Sequence, residues 1–128
     1  MIIGFGTDII DTRRIKKTIS KFGNKFKKRC FSLNEIKRSE NIINSANSFA
    51  KRYAAKEACA KALGTGLAKG IFWKDIEIVN NAAGKPFIIL HNRAVSRLAS
   101  LTNKNCKIEV SLSDEKNYAI ANVIIFEI

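Results

Sequence analysis

The sequence predicts an α+β fold, in a single domain over residues 1–128, with a mostly antiparallel sheet packed against helices. In the first half of the chain, after one strand, apolar residues recur at helical spacing. In the second half they mostly alternate with polar residues, as in half-buried strands. The predicted order, βαααββαββ, lacks the regular alternation of a parallel α/β fold, which favours the α+β class.

The first predicted elements are a strand over residues 2–10 and a helix that follows it directly. Asp11 or Thr12 can cap this helix, and Gly23 is a suitable residue to end it. The helix has one apolar face, formed by Ile15, Ile19 and Phe22. A basic cluster over residues 25–29 follows.

Two further helices are predicted before the sequence changes character. Ser32 and Glu35 match a capping box, which opens a helix that runs to about Ile43. The next helix, Phe49–Leu63, is rich in alanine and ends at Gly64-Thr65-Gly66.

The second half predicts four strands and one helix. Residues 73–81 form a half-buried strand, and the turn sequence NNAAGKP leads into a returning strand over residues 87–90. Residues 93–102 follow as a helix. Two last strands, over residues 107–113 and 118–126, flank the turn DEKN.

The composition limits the possible partners and locations. The net charge is +12, with 23 Lys and Arg against 11 Asp and Glu, which favours nucleic acid, acidic membranes, phosphorylated ligands or an acidic protein. No apolar run reaches the ~18–20 residues of a membrane span. The N-terminal sequence MIIGFGTDII does not match a signal peptide. We therefore expect a cytoplasmic protein.

The cysteines and the single histidine give no catalytic pattern. Cys30, Cys59 and Cys106 lack CxxC spacing, so we expect reduced thiols that mainly fill space. His91 lies where a strand ends and a helix begins, which favours a structural role.

One helical face mixes aromatic and charged residues. Phe49, Tyr53, Glu57 and Lys61 recur at intervals of four and so share a face. One interpretation is an exposed Glu57–Lys61 helix pair, which stabilises a helix by about 0.3–0.5 kcal/mol. The other is a polar site at the edge of the core.

Asp8 is the second unusual residue, because a carboxylate at the end of an apolar strand needs a partner. It could cap the following helix, although Asp11 and Thr12 are better placed for that. If Asp8 and Glu57 converge, they form a hard oxygen site of the kind that Mg²⁺ binds together with phosphate oxygens and water. Lys61 would then supply positive charge for phosphates. The segment Gly64-Thr65-Gly66 allows a close backbone approach but is also a simple helix stop.

Four segments together identify a family resemblance. They are GTDIIDTRRI, FAKRYAAKEACAKALGTG, GKPFIIL and SLSDEKNYAIANVII. In this order and spacing they resemble the holo-[acyl-carrier-protein] synthase family, the small bacterial 4′-phosphopantetheinyl transferases. The pairing of GxD with KExxxKxxG some fifty residues later is specific to that family.

The resemblance implies an activity and a set of site residues. The activity is transfer of phosphopantetheine from coenzyme A to a serine of an acyl carrier protein, with 3′,5′-ADP as the leaving group, in support of fatty acid biosynthesis. Asp8 and Glu57 would bind Mg²⁺, with Mn²⁺ as a substitute, and Lys61 would act with them. Arg14 would face the acidic carrier protein. The residues implied at the coenzyme A site are Arg52, Lys61, Gly64, Thr65, Lys85 and Pro86. Family members are typically homotrimers with active sites between subunits.

The sequence departs from the family pattern at one motif, and it leaves one alternative function open. Many family members carry a histidine at each end of HVSxSH, where this chain has Glu109 and Asp114 in EVSLSD. A mechanism that relies on an imidazole there does not fit this sequence. The alternative function is a small nucleic-acid-binding module that uses the basic surface of Lys16–Arg29, although the aromatic residues lie at core spacings and no RNA-binding signature is present.

Overall fold

A computed structural model describes residues 1–67 and 70–128 of the chain. Its helices are α1 (Thr12–Phe22), α2 (Asn24–Cys30), α3 (Leu33–Glu40), α4 (Ser45–Ala62) and α5 (Asn92–Leu101). Its strands are β1 (Ile2–Asp11), β2 (Ile76–Asn80), β3 (Pro86–Leu90), β4 (Cys106–Glu115) and β5 (Tyr118–Glu127). The α+β class and the predicted order are confirmed, with α2 as an additional short helix where the sequence showed only a basic cluster.

The strands form two antiparallel sheets. One has the order β1-β5-β4, and the other is the hairpin of β2 and β3, which lies beside β4. The predicted strand over residues 73–81 begins later, at Ile76, because Trp73–Asp75 forms a single turn of 3₁₀ helix. The other strand boundaries differ from the predicted ones by a few residues.

Capping side chains account for the helix boundaries. Asp11, rather than Thr12, caps α1 and accepts a hydrogen bond from the backbone N–H of Arg13. The predicted capping box of α3 is present: Ser32 Oγ accepts from Glu35 N–H at 3.2 Å, and Glu35 Oε1 accepts from Ser32 N–H at 2.8 Å. Helix α4 starts four residues before the predicted Phe49, because Asn44 caps it.

The core lies between α4 and the three-stranded sheet. Alanines of α4 that are fully buried, such as Ala54 and Ala58, face small residues of β5, such as Ala119 and Ala121. Small side chains on both sides let the helix and the sheet approach closely. Larger side chains such as Phe49 fill the remaining space, and burying one of them contributes about 1.5–3 kcal/mol.

The opposite face of this sheet is open and partly apolar. Phe5 and Ile9 of β1 are each 62% exposed, and they pair across the sheet with Ile124 and Ile120 of β5. We call these four residues the outer apolar face.

Two predictions from the composition can be compared with the structure. Cys30, Cys59 and Cys106 are all unpaired, and burial raises the pKa of the first two thiols to about 11 and about 12. Such thiols are poor nucleophiles at neutral pH, which agrees with a packing role. None of the helices formed by residues 1–67 and 70–128 has the length and hydropathy needed to cross a membrane.

Candidate active site

Two glycines of β1 determine where Asp8 lies. A Cβ atom at Gly4 would come within 1.9 Å of the carbonyl oxygen of Ala62, and one at Gly6 within 1.8 Å of that of Ala58. Only glycine therefore lets β1 cross α4 at this distance. Because side chains alternate along a strand, Asp8 is on the same face as Gly4 and Gly6, the face that meets α4.

Asp8, Glu57 and Lys61 come together at the end of this crossing, and we call them the carboxylate–lysine cluster. Nζ of Lys61 donates to Asp8 Oδ1 at 3.1 Å and to the carbonyl of Thr7 at 3.0 Å. The pKa of Glu57 is raised, first by burial and then by the negative charge of Asp8, while Lys61 partly opposes this shift. The two carboxylates are thus close enough to repel one another.

The face of α4 formed by the residues at intervals of four becomes steadily more exposed along the helix. Phe49 is fully buried, Tyr53 and Glu57 are half-buried, and Lys61 is exposed. The Lys61 ammonium lies within ion-pair distance of Asp8, and among the described residues Glu57 has no ion-pair partner within 4.0 Å. The simpler interpretation, a Glu57–Lys61 surface pair, is therefore not what the structure contains.

The donor set of the cluster fits Mg²⁺. Asp8 and Glu57 supply two carboxylates, and within residues 1–67 and 70–128 no group of three or more His, Cys, Asp or Glu side chains could hold a metal. Mg²⁺ commonly uses one or two carboxylates and completes its octahedron with water and substrate phosphates. A divalent cation between these carboxylates would also remove the repulsion that raises the pKa of Glu57.

Tyr53 and Arg14 adjoin the cluster. Burial raises the pKa of the Tyr53 hydroxyl, and the charge of Glu57 raises it further. Arg14, in the first turn of α1, acts in the opposite direction on the same hydroxyl. The charge of Arg14 thus acts on Tyr53, which lies one helical turn before Glu57.

The loop after α4 contains one unpaired hydroxyl among the described residues. Gly64 has φ of 82°, a left-handed conformation that favours glycine, and Arg97 Nε donates to the Leu63 carbonyl at 2.8 Å. Oγ1 of Thr65 is buried, and within the described part of the chain it has no hydrogen-bond partner. Thr65 thus keeps an unsatisfied hydroxyl beneath the loop that follows α4.

The remaining predicted site residues lie elsewhere in the chain. Arg52 is only 5% exposed and donates to Ser48 Oγ at 3.1 Å and to Asn80 Oδ1 at 2.6 Å. Burial lowers the pKa of this guanidinium. Arg52 and Pro86 line a pocket of about 330 Å³, which we call the arginine pocket. Lys85, next to Pro86, lies outside the pocket lining and pairs with Glu109 at 3.4 Å.

A single chain thus holds two separate sets of predicted residues. The arginine pocket contains none of Asp8, Glu57 and Lys61. Arg52 and Glu57 lie on the same helix but project about 140° apart, since each residue of an α-helix turns by about 100°.

Sequence reasoning missed two groups of residues. Gly4 and Gly6 had a usable signal, because alternate glycines within a strand indicate a close backbone approach. Asn47 and Lys51, which line the arginine pocket, had none. Their contact with Asp114, noted in the sequence only as a replacement of a family histidine, joins residues more than sixty positions apart.

Comparison with known proteins now identifies the family. The family model described as the 4′-phosphopantetheinyl transferase superfamily matches residues 4–123. The chain belongs to this superfamily. Holo-[acyl-carrier-protein] synthase of Agrobacterium fabrum is 51% identical to it over 98% of this chain and 95% of its own length. The protein of the same name from Beijerinckia indica is 50% identical over 98% of this chain and 91% of its own length.

Solved structures of the superfamily have the same fold. Holo-[acyl-carrier-protein] synthase from Neisseria meningitidis matches with a TM-score of 0.86 and 35% identity, covering 99% of this chain and all of its own. The Helicobacter pylori enzyme, solved in complex with coenzyme A, matches with a TM-score of 0.83 and 31% identity, covering 95% and 99%.

Proposed function

We propose that the protein transfers the 4′-phosphopantetheine group of coenzyme A to a serine of apo acyl carrier protein, giving holo acyl carrier protein and 3′,5′-ADP. The reaction supports fatty acid biosynthesis, and the protein acts in the cytoplasm as a single domain over residues 1–128. The observation that carries this proposal is the carboxylate–lysine cluster in a chain of this superfamily. Relatives about 50% identical over nearly the whole chain are named holo-[acyl-carrier-protein] synthase, and related structures contain coenzyme A.

In this proposal Asp8 and Glu57 hold Mg²⁺, which Mn²⁺ can replace. When bound, the metal neutralises charge on the diphosphate of coenzyme A and stabilises the leaving group. Lys61 already lies beside Asp8, so its ammonium is placed to face the same phosphates. Gly64 and Thr65, which follow α4, bind the phosphate chain next to it through the backbone of their loop.

The cluster also provides a base. The serine oxygen of the carrier protein attacks phosphorus, the bond from phosphorus to the 3′,5′-ADP oxygen breaks, and the serine proton is transferred to a base. Glu57 is suited to this role by position, because its half-buried carboxylate belongs to the same cluster as Asp8 and Lys61. Half-burial also limits the access of competing water.

Arg52, Lys85 and Pro86 bind the nucleotide part of coenzyme A from a neighbouring subunit. We propose a homotrimer, because the arginine pocket and the carboxylate–lysine cluster lie apart in one chain and an assembly can bring the two sets together. The outer apolar face supports self-association, since exposed Phe5 and Ile9 are natural contacts for a second copy. Light scattering at micromolar concentration should give three times the chain mass. A fully active monomer would exclude an interfacial site.

Arg14 and the basic face of α1 receive the carrier protein. Four basic residues of α1 line one surface hollow of about 530 Å³: Arg13, Lys16, Lys17 and Lys21. This positive surface suits an acidic protein substrate, because complementary charge increases the rate of encounter. The comparisons give no support to the alternative of a nucleic-acid-binding module.

The direct test is an assay of the whole reaction. The protein is incubated with coenzyme A, Mg²⁺ and apo acyl carrier protein, and the carrier protein is weighed by mass spectrometry. We expect an increase in mass by one phosphopantetheine, its loss with a chelator, and its return on addition of Mg²⁺ or Mn²⁺. An unmodified carrier protein in the presence of Mg²⁺ would contradict the proposed function.

A further inference from the structure

Arg97 of α5 contacts the loop in which α4 ends. Its Nε donates a hydrogen bond of 2.8 Å to the backbone carbonyl of Leu63, the residue between α4 and Gly64. Among the described residues, Arg97 is the one side chain from outside α4 that hydrogen-bonds to the backbone of residues 63–66. The hydrogen bonding of this loop to α5 therefore depends on a single side chain.

The Leu63 carbonyl is a group that needs such a partner. The last carbonyls of an α-helix have no N–H group of the helix to accept from, and this end of the helix carries partial negative charge. Leu63 is fully buried, so bulk water does not reach its carbonyl. A cationic donor suits this acceptor, because hydrogen bonds from charged groups are the stronger ones. Without the donor, a buried acceptor would be left unpaired, which is unfavourable unless the loop shifts.

The guanidinium of Arg97 also lies close to Gly64. A Cβ atom at Gly64 would be 3.1 Å from Nη2 of Arg97, which is a tight contact for a Cβ atom. Arg97 therefore contacts two successive residues of the loop, through a hydrogen bond at Leu63 and through close packing at Gly64.

The helix that carries Arg97 is fixed at both ends. Before its first turn, the backbone N–H of His91 donates to the carbonyl of Asp75 at 2.7 Å. After its last turn, Oγ1 of Thr102 donates to Oε2 of Glu127 at 2.7 Å. Arg97 thus extends from a firmly held element onto the loop.

No other strong interaction accounts for an arginine at this position. Among the described residues, Arg97 has no ion-pair partner and no hydrogen-bond acceptor besides the Leu63 carbonyl. Arg93, one helical turn earlier on α5, has a different environment, because its guanidinium lies 4.6 Å from the centre of the Phe72 ring. The two arginines of α5 therefore allow a matched comparison.

We propose that Arg97 is a positioning residue, which holds Gly64 and Thr65 in place for the phosphate chain of coenzyme A. This inference rests on the proposed function, in which those two residues bind that chain. Arg97 acts through the Leu63 carbonyl and needs no contact with the substrate. Its loss should therefore weaken the binding of coenzyme A, while the chemical step at the carboxylate–lysine cluster continues.

Two substitutions of equal length separate the hydrogen bond from the charge. Nε2 of glutamine is as many bonds from the backbone as Nε of arginine, so Arg97→Gln keeps an N–H donor for Leu63 and removes the charge. Methionine has a methyl group at the same point, so Arg97→Met removes the donor as well.

The test measures steady-state kinetics of the transfer reaction and the Kd of coenzyme A by calorimetric titration. We expect Arg97→Met to raise the KM and the Kd for coenzyme A by about tenfold, with kcat within about threefold of the wild type. Its KM for carrier protein should not change. Arg97→Gln should restore the KM and the Kd to within about threefold of the wild type, because it keeps the hydrogen bond.

The matched control is Arg93→Met, which removes an arginine from the same helix but leaves the loop untouched. Its KM and Kd for coenzyme A should equal those of the wild type. All variants are assayed well below their thermal midpoints, so that folded proteins are compared.

Three results would count against this inference. If Arg97→Met lowered the thermal midpoint and left the KM and the Kd unchanged, Arg97 would have a structural role alone. If Arg97→Gln bound coenzyme A as weakly as Arg97→Met, the charge and not the hydrogen bond would matter. Either result, with a wild type that transfers phosphopantetheine, would overturn the inference alone. A wild type that neither binds coenzyme A nor modifies carrier protein would overturn the proposed function as well.

Discussion

Lys56 and Glu57 are neighbours on α4, yet the charge of Lys56 is neutralised by an ion pair and the charge of Glu57 is not. Lys56 and Glu35 are both fully buried and 2.8 Å apart, and Lys56 also donates to the carbonyls of Trp73 and Ile76. Glu35 accepts further hydrogen bonds from the backbone N–H groups of Ser32 and Ile78. Burial lowers the pKa of Lys56, and the charge of Glu35 opposes this. We call Lys56 and Glu35 the buried pair.

Glu57 has no comparable set of partners. Among the described residues it has no ion pair within 4.0 Å, and the nearby charge of Asp8 adds to the effect of burial in raising its pKa. The buried pair has an ion pair and several hydrogen bonds, and it connects α4, α3 and β2. The carboxylate–lysine cluster, in contrast, retains the repulsion between Asp8 and Glu57. Such unrelieved charge is typical of a functional site. The comparison predicts that the buried pair acts on stability and the cluster acts on turnover.

The largest effect is expected at the buried pair. Lys56→Met removes the ammonium, and the Glu35 carboxylate remains buried without its countercharge. The free energy of unfolding should fall by about 3–5 kcal/mol, as for other buried pairs that lose one partner. Denaturation in urea measures this change. A variant as stable as the wild type would show that the buried pair does not hold these elements together.

The next effect is expected at Asp8, on activity instead of stability. Asp8→Asn keeps the shape but removes a negative charge, and Mg²⁺ binds charged oxygens better than amides. Turnover should fall by about 100-fold or more, with little change in the thermal midpoint. Adding Glu57→Gln should reduce turnover only slightly further, because residues that act as a unit are not additive. If the double mutant lost turnover by the product of the two single losses, Asp8 and Glu57 would not share a metal ion.

A smaller effect is expected on the surface of α1. Arg14→Glu should raise the KM for carrier protein by about tenfold and leave the affinity for coenzyme A nearly unchanged, because a rim charge acts mainly on association. Raised salt should reduce the difference between the variant and the wild type. Unaltered use of carrier protein would mean that it docks elsewhere.

The smallest effect is expected at His91. Its Nε2 lies 3.0 Å from Oε1 of Glu77, so the ring is engaged in the structure and does not belong to the cluster. His91→Ala should keep activity within about threefold. A loss on the order of 100-fold, typical of removing a general base, would show that an imidazole takes part in the reaction.

Local signals made much of the fold predictable from the sequence. The capping box at Ser32 and Glu35, the alanine-rich α4 and the alternating strands are all encoded within a few neighbouring residues. Helix α2 was missed because its seven residues are strongly basic and carry only one large apolar side chain, Phe26. Helix α4 begins earlier than predicted because its cap, Asn44, lies outside the apolar pattern.

The candidate site was predictable where one helix carries it. The spacing of Glu57 and Lys61 and the position of Asp8 after an apolar run pointed to the cluster that the structure brings together. The contact of Asp114 with Asn47 and the pairing of Lys56 with Glu35 were not predictable. Each depends on how distant elements pack, and no periodicity within the chain records that.

The most direct test of this account compares two Glu→Gln variants of similar chemistry. The pKa of Glu57 is raised in the folded protein, so folding favours the protonated carboxyl. The protonated group therefore adds to the stability at low pH, and this contribution is lost as pH rises through the raised pKa. Glu57→Gln resembles the protonated form, so at neutral pH its thermal midpoint should be unchanged or higher. Its turnover should fall by about 100-fold or more. Glu35→Gln should lower the midpoint strongly and, while folded, keep most of its turnover. A Glu57→Gln enzyme that is stable and fully active would contradict the account, because the carboxylate–lysine cluster would then have no part in the reaction.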